Sequence, residues 1–94
     1  LKRFASHLNK NNCKVQIEPE LDLTKYCKGY DSTNAKYTLY AVGNHIGNLT
    51  FGHYFADCFI ENVGWYRFDD TKVSMIKKEE LNPNTAYMLF YVKK

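Results

Sequence analysis

His53, Asp69 and Asp70 are the residues of this 94-residue chain whose types could do acid–base chemistry together. They fall within the stretch GHYFADCFIENVGWYRFDD, residues 52–70, which also holds Asp57, Glu61 and six aromatic rings. A histidine held by a carboxylate is the general-base half of a nucleophilic triad. The carboxylate fixes the ring tautomer and steadies the imidazolium, leaving the second nitrogen to activate a thiol or hydroxyl. The thiols present are Cys13, Cys27 and Cys58, and none reads as the nucleophile. Cys13 follows two asparagines in a loop-like stretch, and Cys27 adjoins a Lys-Gly turn. Cys58 falls on the expected core face of a strand, where a thiol is inert.

Whether His53 can meet Asp69 depends on the strand that carries each. Residues 54–60 and 65–69 read as the two arms of a β-hairpin. On antiparallel strands, directly opposite residues share a face and their numbers add to a constant. A constant of 124 sets Asp57 opposite Arg67 and Phe59 opposite Trp65, an ion pair and an aromatic pair, whereas 125 makes neither. This register leaves an odd loop from Ile60 to Gly64, with Asn62 and Gly64 available for positive φ. It collects Tyr54, Ala56, Cys58, Ile60, Tyr66 and Phe68 on one face, apolar enough to be the expected core side. His53, Phe55, Asp57, Arg67 and Asp69 share the other. His53 then lies opposite Thr71 and diagonal to Asp69, and diagonal neighbours stand roughly 7 Å apart, within side-chain reach. Spacing alone favours the plainer reading, a surface His–Asp pair on a solvated face.

Around the hairpin, Lys14–Ile17 alternates as a short strand, and Pro19 to Leu23 reads as an extended or turn-like connection. Residues 24–36 have the composition of a surface loop. Tyr37–Val42 is a strand, Gly43–Gly52 a glycine-bearing mobile loop, Val73–Ile76 a short strand and 77–81 one helical turn. The apolar run Ala86–Val92 is expected as a central strand. The fold is therefore expected to be mainly antiparallel β. The chain opens on Leu1 rather than methionine and on an alternating stretch that reads as a strand end, so it is read as part of something longer, with helix contributed by what precedes it.

Composition bounds the function. A chain this short with 45% hydrophobic residues has one modest core. Its net charge of +3 comes from scattered residues and lacks the clustered basic face that nucleic acid requires. No apolar run suffices to span a membrane. Three cysteines without C-x-x-C spacing make neither a closed disulfide framework nor a zinc site, and point to a reducing, intracellular compartment. His45 and His53, eight positions apart across a loop, form no recognised metal site, so no metal or cofactor is expected.

The text around the pair carries more. Ala41-Val42, His45, Gly47, Gly52-His53-Tyr54, Trp65, Phe68-Asp69-Asp70, Val73, Ala86-Tyr87 and Leu89-Phe90-Tyr91, with their spacing, closely resemble the histidine box of the ubiquitin-specific proteases, which are papain-like cysteine deubiquitinases. Leu1–Phe4 and Pro19–Leu23 resemble the segment before that box. The resemblance implies a C-terminal part of an α+β catalytic domain over residues 1–94, with the cysteine box lying upstream in the other half. It implies His53 as general base, Asp69 as its orienting partner and Asp70 as a supporting or alternative carboxylate. The Gly43–Gly52 segment would close over ubiquitin's extended tail, with His45, Gly52 and Tyr54 lining the channel. Leu49-Thr50-Phe51 stands where family members often carry glycines.

On this reading the partners are ubiquitin, ubiquitinated proteins and the rest of the same catalytic domain, in the cytoplasm or nucleus. The piece alone is expected to be inactive. Two other classes stay open: a non-catalytic ubiquitin-binding or scaffold domain, and a small β module that binds through exposed aromatics.

Overall fold

The computed structural model describes Arg3, Lys10 and residues 14–26, 35–48 and 51–93. His7, Cys13, Cys27 and most of the expected 24–36 loop lie outside these. The described residues build one six-stranded sheet. Its strands are β1 (Glu20–Asp22), β2 (Lys36–Gly47), β3 (Gly52–Ile60), β4 (Gly64–Asp69), β5 (Lys72–Ile76) and β6 (Ala86–Lys93). Successive strands from β1 to β5 are neighbours, and β6 pairs with β2. Every pairing is antiparallel. Helix among the described residues is limited to 3-10 turns at Thr24–Tyr26 and Lys78–Glu80.

The hairpin takes the expected register. Asp57 faces Arg67, Phe59 faces Trp65 and Ile60 faces Gly64. The intervening loop uses the two residues able to turn it, Asn62 at φ 65° and Gly64 at φ 132°.

Four expectations are corrected. Lys14–Ile17 makes no strand; the extended piece is Glu20–Asp22, which pairs with the start of β2. Gly43–Gly47 is not loop but the continuation of β2, because β3 and β6 bond its two edges as far as Asn44 and β3 holds it on to Gly47. Strand β2 ends at Gly47 and β3 begins at Gly52, and between them the Phe51 N–H donates to Asn48 Oδ1 at 2.6 Å. Strand β6 is not central among the described residues, since its pairing there is with β2 alone.

The fourth correction concerns the core, which lies on the opposite face of the hairpin from the one expected. Leu39, Val42, Trp65, Ile76 and Ala86 form the buried cluster, with Ile17, Leu81, Leu89 and Tyr91 packed against it. Tyr54, Ile60 and Phe68, counted as core in the hairpin alone, are exposed, and Cys58 on their face is half-buried. The reason is coverage. The segment before β1 and the turn after β5 fold over the Trp65 side, held there by backbone bonds from Leu39 to Pro19 at 2.9 Å and Val15 to Pro83 at 3.2 Å. Buried Arg3 adds a clamp, donating from Nε and Nη2 to the Ala86 carbonyl at 3.0 and 2.7 Å.

Asp57 sits in this core with no solvent exposure. Arg67 answers it with two bonds, Nε to Oδ1 at 2.8 Å and Nη2 to Oδ2 at 3.2 Å. The buried Asn44 amide donates to Oδ2 at 3.2 Å and its own oxygen accepts from Thr85 Oγ1 at 3.0 Å. The Arg67 guanidinium also reaches the Glu80 carbonyl at 3.3 Å. A carboxylate in a dry sheet is tolerable only when so paired, and removing one partner strands the other. Asp57→Ala should therefore cost about 3 kcal/mol. The loss is read as a lower urea midpoint at unchanged slope, with a smaller loss in Asp57→Ala/Arg67→Met, where neither charge remains.

Candidate active site

His53 is the second residue of β3 and Asp69 the last of β4. Both side chains lean across the diagonal, and Nε2 of His53 meets Oδ1 of Asp69 at 2.5 Å. The pair stays open to solvent, with side-chain exposures of 45% and 40%. Its hydrogen bond and the charge of Asp69 raise the imidazole above its ordinary pKa against an opposing effect of burial, and Asp70 adds a lesser push upward. With Nε2 engaged by the carboxylate, Nδ1 is the nitrogen left to work on a nucleophile.

Asp70 follows in the tight turn to β5, with φ at 53°. One donor atom from each of His53, Asp69 and Asp70 lies within 4.8 Å of the others. Within this group, His53 Nε2 and Asp69 Oδ1 are engaged with each other. Among the described residues Cys58 is a free thiol, and burial together with Asp57 pushes its pKa up, away from the thiolate.

His45, Gly52 and Tyr54 also come together, but on the face opposite His53. His45 and Tyr54 are directly paired across β2 and β3, their rings 4.6 Å apart. The His45 imidazole is buried and lies over Gly52, so close that a Cβ on Gly52 would stand 2.1 Å from Nε2. Burial, with a lesser contribution from Lys10, lowers the His45 pKa and so favours the neutral ring. Lys10 also donates to the His45 carbonyl at 2.6 Å. Tyr54 is 64% exposed and meets Tyr87 edge-on at 6.1 Å. Beside it runs an open groove of about 350 Å³, floored by Gly43 and Ala56 and walled by Tyr87, Phe68 and Met88. A larger pocket, about 620 Å³, opens between Ile17, Leu39 and Leu81, away from His53.

Sequence reasoning missed Tyr87 and Lys10 at this site. Tyr87 reaches Tyr54 only because β2 separates β6 from β3, an order that the hairpin cannot reveal. Lys10 gave no signal, since its contact is to a backbone carbonyl. Phe55 was placed on the His53 face but given no part, although its ring lies nearly parallel to the imidazole with centroids 6.5 Å apart.

Known proteins resemble this chain in sequence and in fold. The family model described as ubiquitin carboxyl-terminal hydrolase matches residues 1–91. A putative ubiquitin carboxyl-terminal hydrolase 11 of Arabidopsis thaliana is 41% identical over 97% of this chain, and ubiquitin carboxyl-terminal hydrolase 8 of Saccharomyces cerevisiae 36% over the same share. The chain spans 11% and 22% of those two proteins. Among solved structures, the SAGA Ubp8/Sgf11/Sus1/Sgf73 deubiquitinase module bound to ubiquitin aldehyde superposes with a TM-score of 0.77 at 33% identity, over 90% of this chain and 20% of that one. A second structure of the SAGA Ubp8/Sgf11/Sus1/Sgf73 module gives 0.79 at 32% identity, over 92% and 19%. A match along nearly the whole length, in sequence and in sheet, shows that the chain belongs to the ubiquitin carboxyl-terminal hydrolase family.

Proposed function

We propose that this chain supplies the histidine and aspartate of the triad in a thiol-dependent deubiquitinase, which hydrolyses the bond after the C-terminal glycine of ubiquitin. The observation that carries the reading is the 2.5 Å bond between His53 Nε2 and Asp69 Oδ1, made in a chain of this family. The nucleophile is a cysteine outside these 94 residues, so the chain alone is inactive. The relatives' greater length supports this, as does the inert setting of Cys58.

In the complete domain the proton balance is simple. The thiol proton passes to His53 Nδ1, Asp69 accepts the hydrogen bond from Nε2–H, and the thiolate attacks the carbonyl carbon of ubiquitin's terminal glycine. His53 returns the proton to the departing amine, leaving an acyl-enzyme. A water then gives its proton to His53 and its oxygen to the acyl carbon, and the thiolate leaves and is reprotonated. Asp70 stands by as a supporting carboxylate. His45, Gly52 and Tyr54 line the path of the ubiquitin tail, with buried His45 packed against Tyr54 and Gly52 leaving room for the His45 ring.

The partners are ubiquitin, ubiquitinated proteins and the remainder of the catalytic domain, and neither nucleic acid nor membrane is involved. The exposed apolar side chains Met75, Met88 and Phe90 suit burial against that remainder. The free thiol of Cys58 suits a reducing compartment, cytoplasmic or nuclear.

Three outcomes test the reading in the complete protein. Ubiquitin bearing a thiol-reactive C-terminal warhead should label it covalently, and His53→Ala should slow labelling by a factor of about 10² or more. Binding of ubiquitin without labelling would mean a pseudoenzyme, and no binding a plain structural hairpin. Asp69→Asn removes the charge that lifts the imidazole, so the His53 titration followed by ring NMR should move to lower pH. Gly52→Ala pushes a methyl group into His45 and should weaken ubiquitin binding roughly tenfold through a displaced Tyr54, with the His53 titration unmoved.

A further inference from the structure

Four charged side chains crowd one face of the β3–β4 hairpin: His53, Asp57, Arg67 and Asp69. They are sorted into two pairs, His53 with Asp69 and Arg67 with Asp57. The sorting is not the only one available. Arg67 and Asp69 are two apart on the same face of β4, an easy reach for a guanidinium, and Arg67 already feels the charge of Asp69. A guanidinium is also the stronger partner for a carboxylate, being permanently charged and forked.

Phe55 occupies the ground between the pairs. In register order it follows His53 along β3 and precedes Asp57, the partner of Arg67. The Arg67 guanidinium carbon sits 4.9 Å from the Phe55 ring centroid, in cation–π geometry, while the His53 ring lies nearly parallel to the same ring at 23°. The phenyl ring thus gives Arg67 a surface to rest on, and touches the His53 ring as well.

We propose that Phe55 is a positioning residue that keeps Arg67 from capturing the Asp69 carboxylate and so reserves that carboxylate for His53. The inference rests on the reading of His53 and Asp69 as the base and its orienter in a deubiquitinase. The charged groups acting on His53 are Asp69 and Asp70 from the end of β4 and its turn; on β5 the residue paired with Asp69 is Lys72, a cation without the guanidinium's fork. The residue paired with His53 on β2 is the uncharged Ile46.

The test uses the complete protein with histidine ring nitrogens labelled. Phe55→Val keeps a β-former on the strand and removes the ring. The expected result is a His53 titration moved to lower pH and warhead labelling slowed about tenfold or more, while Phe55→Tyr keeps both as in the unaltered protein. In the uncharged background Asp57→Asn/Arg67→Gln, adding Phe55→Val should no longer move the titration, because no guanidinium remains to compete. Two results overturn the proposal: an unmoved His53 titration in Phe55→Val, or a shift that persists in the uncharged background. Failure of the underlying reading is separate. There, His53→Ala labels as fast as the unaltered protein, whatever the titration of Phe55→Val does.

Discussion

A carboxylate with no solvent exposure, Asp57, anchors the sheet. Burying it is costly unless its charge and its lone pairs are answered. The answers come from four separate parts of the chain: Arg67 on β4, Asn44 on β2, and through them Thr85 before β6 and the Glu80 carbonyl after β5. One ion therefore specifies how neighbouring strands and the 78–85 turn must sit relative to one another. Apolar packing of Val42, Trp65 and Ile76 around it supplies much of the stabilisation but tolerates sliding. The charged network does not tolerate it.

The candidate pair depends on that constraint. His53 and Asp69 are half-exposed and joined by a single hydrogen bond, too little to hold two strands in line against solvent. Their alignment is inherited from the rungs below them. Asp57 with Arg67 and Phe59 with Trp65 set the register, and the diagonal contact follows at the open end.

The same logic explains what was legible in the sequence. The hairpin register and its positive-φ residues could be read because independent side-chain pairs and the turn residues agreed on one parity. The His53–Asp69 meeting followed from that register by geometry, and the surrounding motif pointed to the family. The core face could not be read from the hairpin. Burial there is decided by Ile17 and Leu81, which arrive from distant parts of the chain, and a charged residue opposite an arginine looks like surface when it is in fact core. The extent of β2 was hidden for a related reason. Gly43 reads as a loop residue in isolation, yet strands on both sides hold it in the ladder, with Met88 Cβ 3.5 Å from where its own Cβ would be. Buried His45 gave no warning either, since its burial comes from packing over Gly52 and against Tyr54.

The three residues 61–63 that turn the hairpin have a consequence of their own. Side chains alternate between faces, so adding or deleting one residue in this turn, if passed into the strands, sends Asp69 to the far side of the sheet from His53. It also sends Arg67 away from Asp57. An alignment error that would separate the candidate pair thus exposes itself as a buried, unanswered charge. Folding stability acts as a proofreader for a contact that contributes little to stability itself.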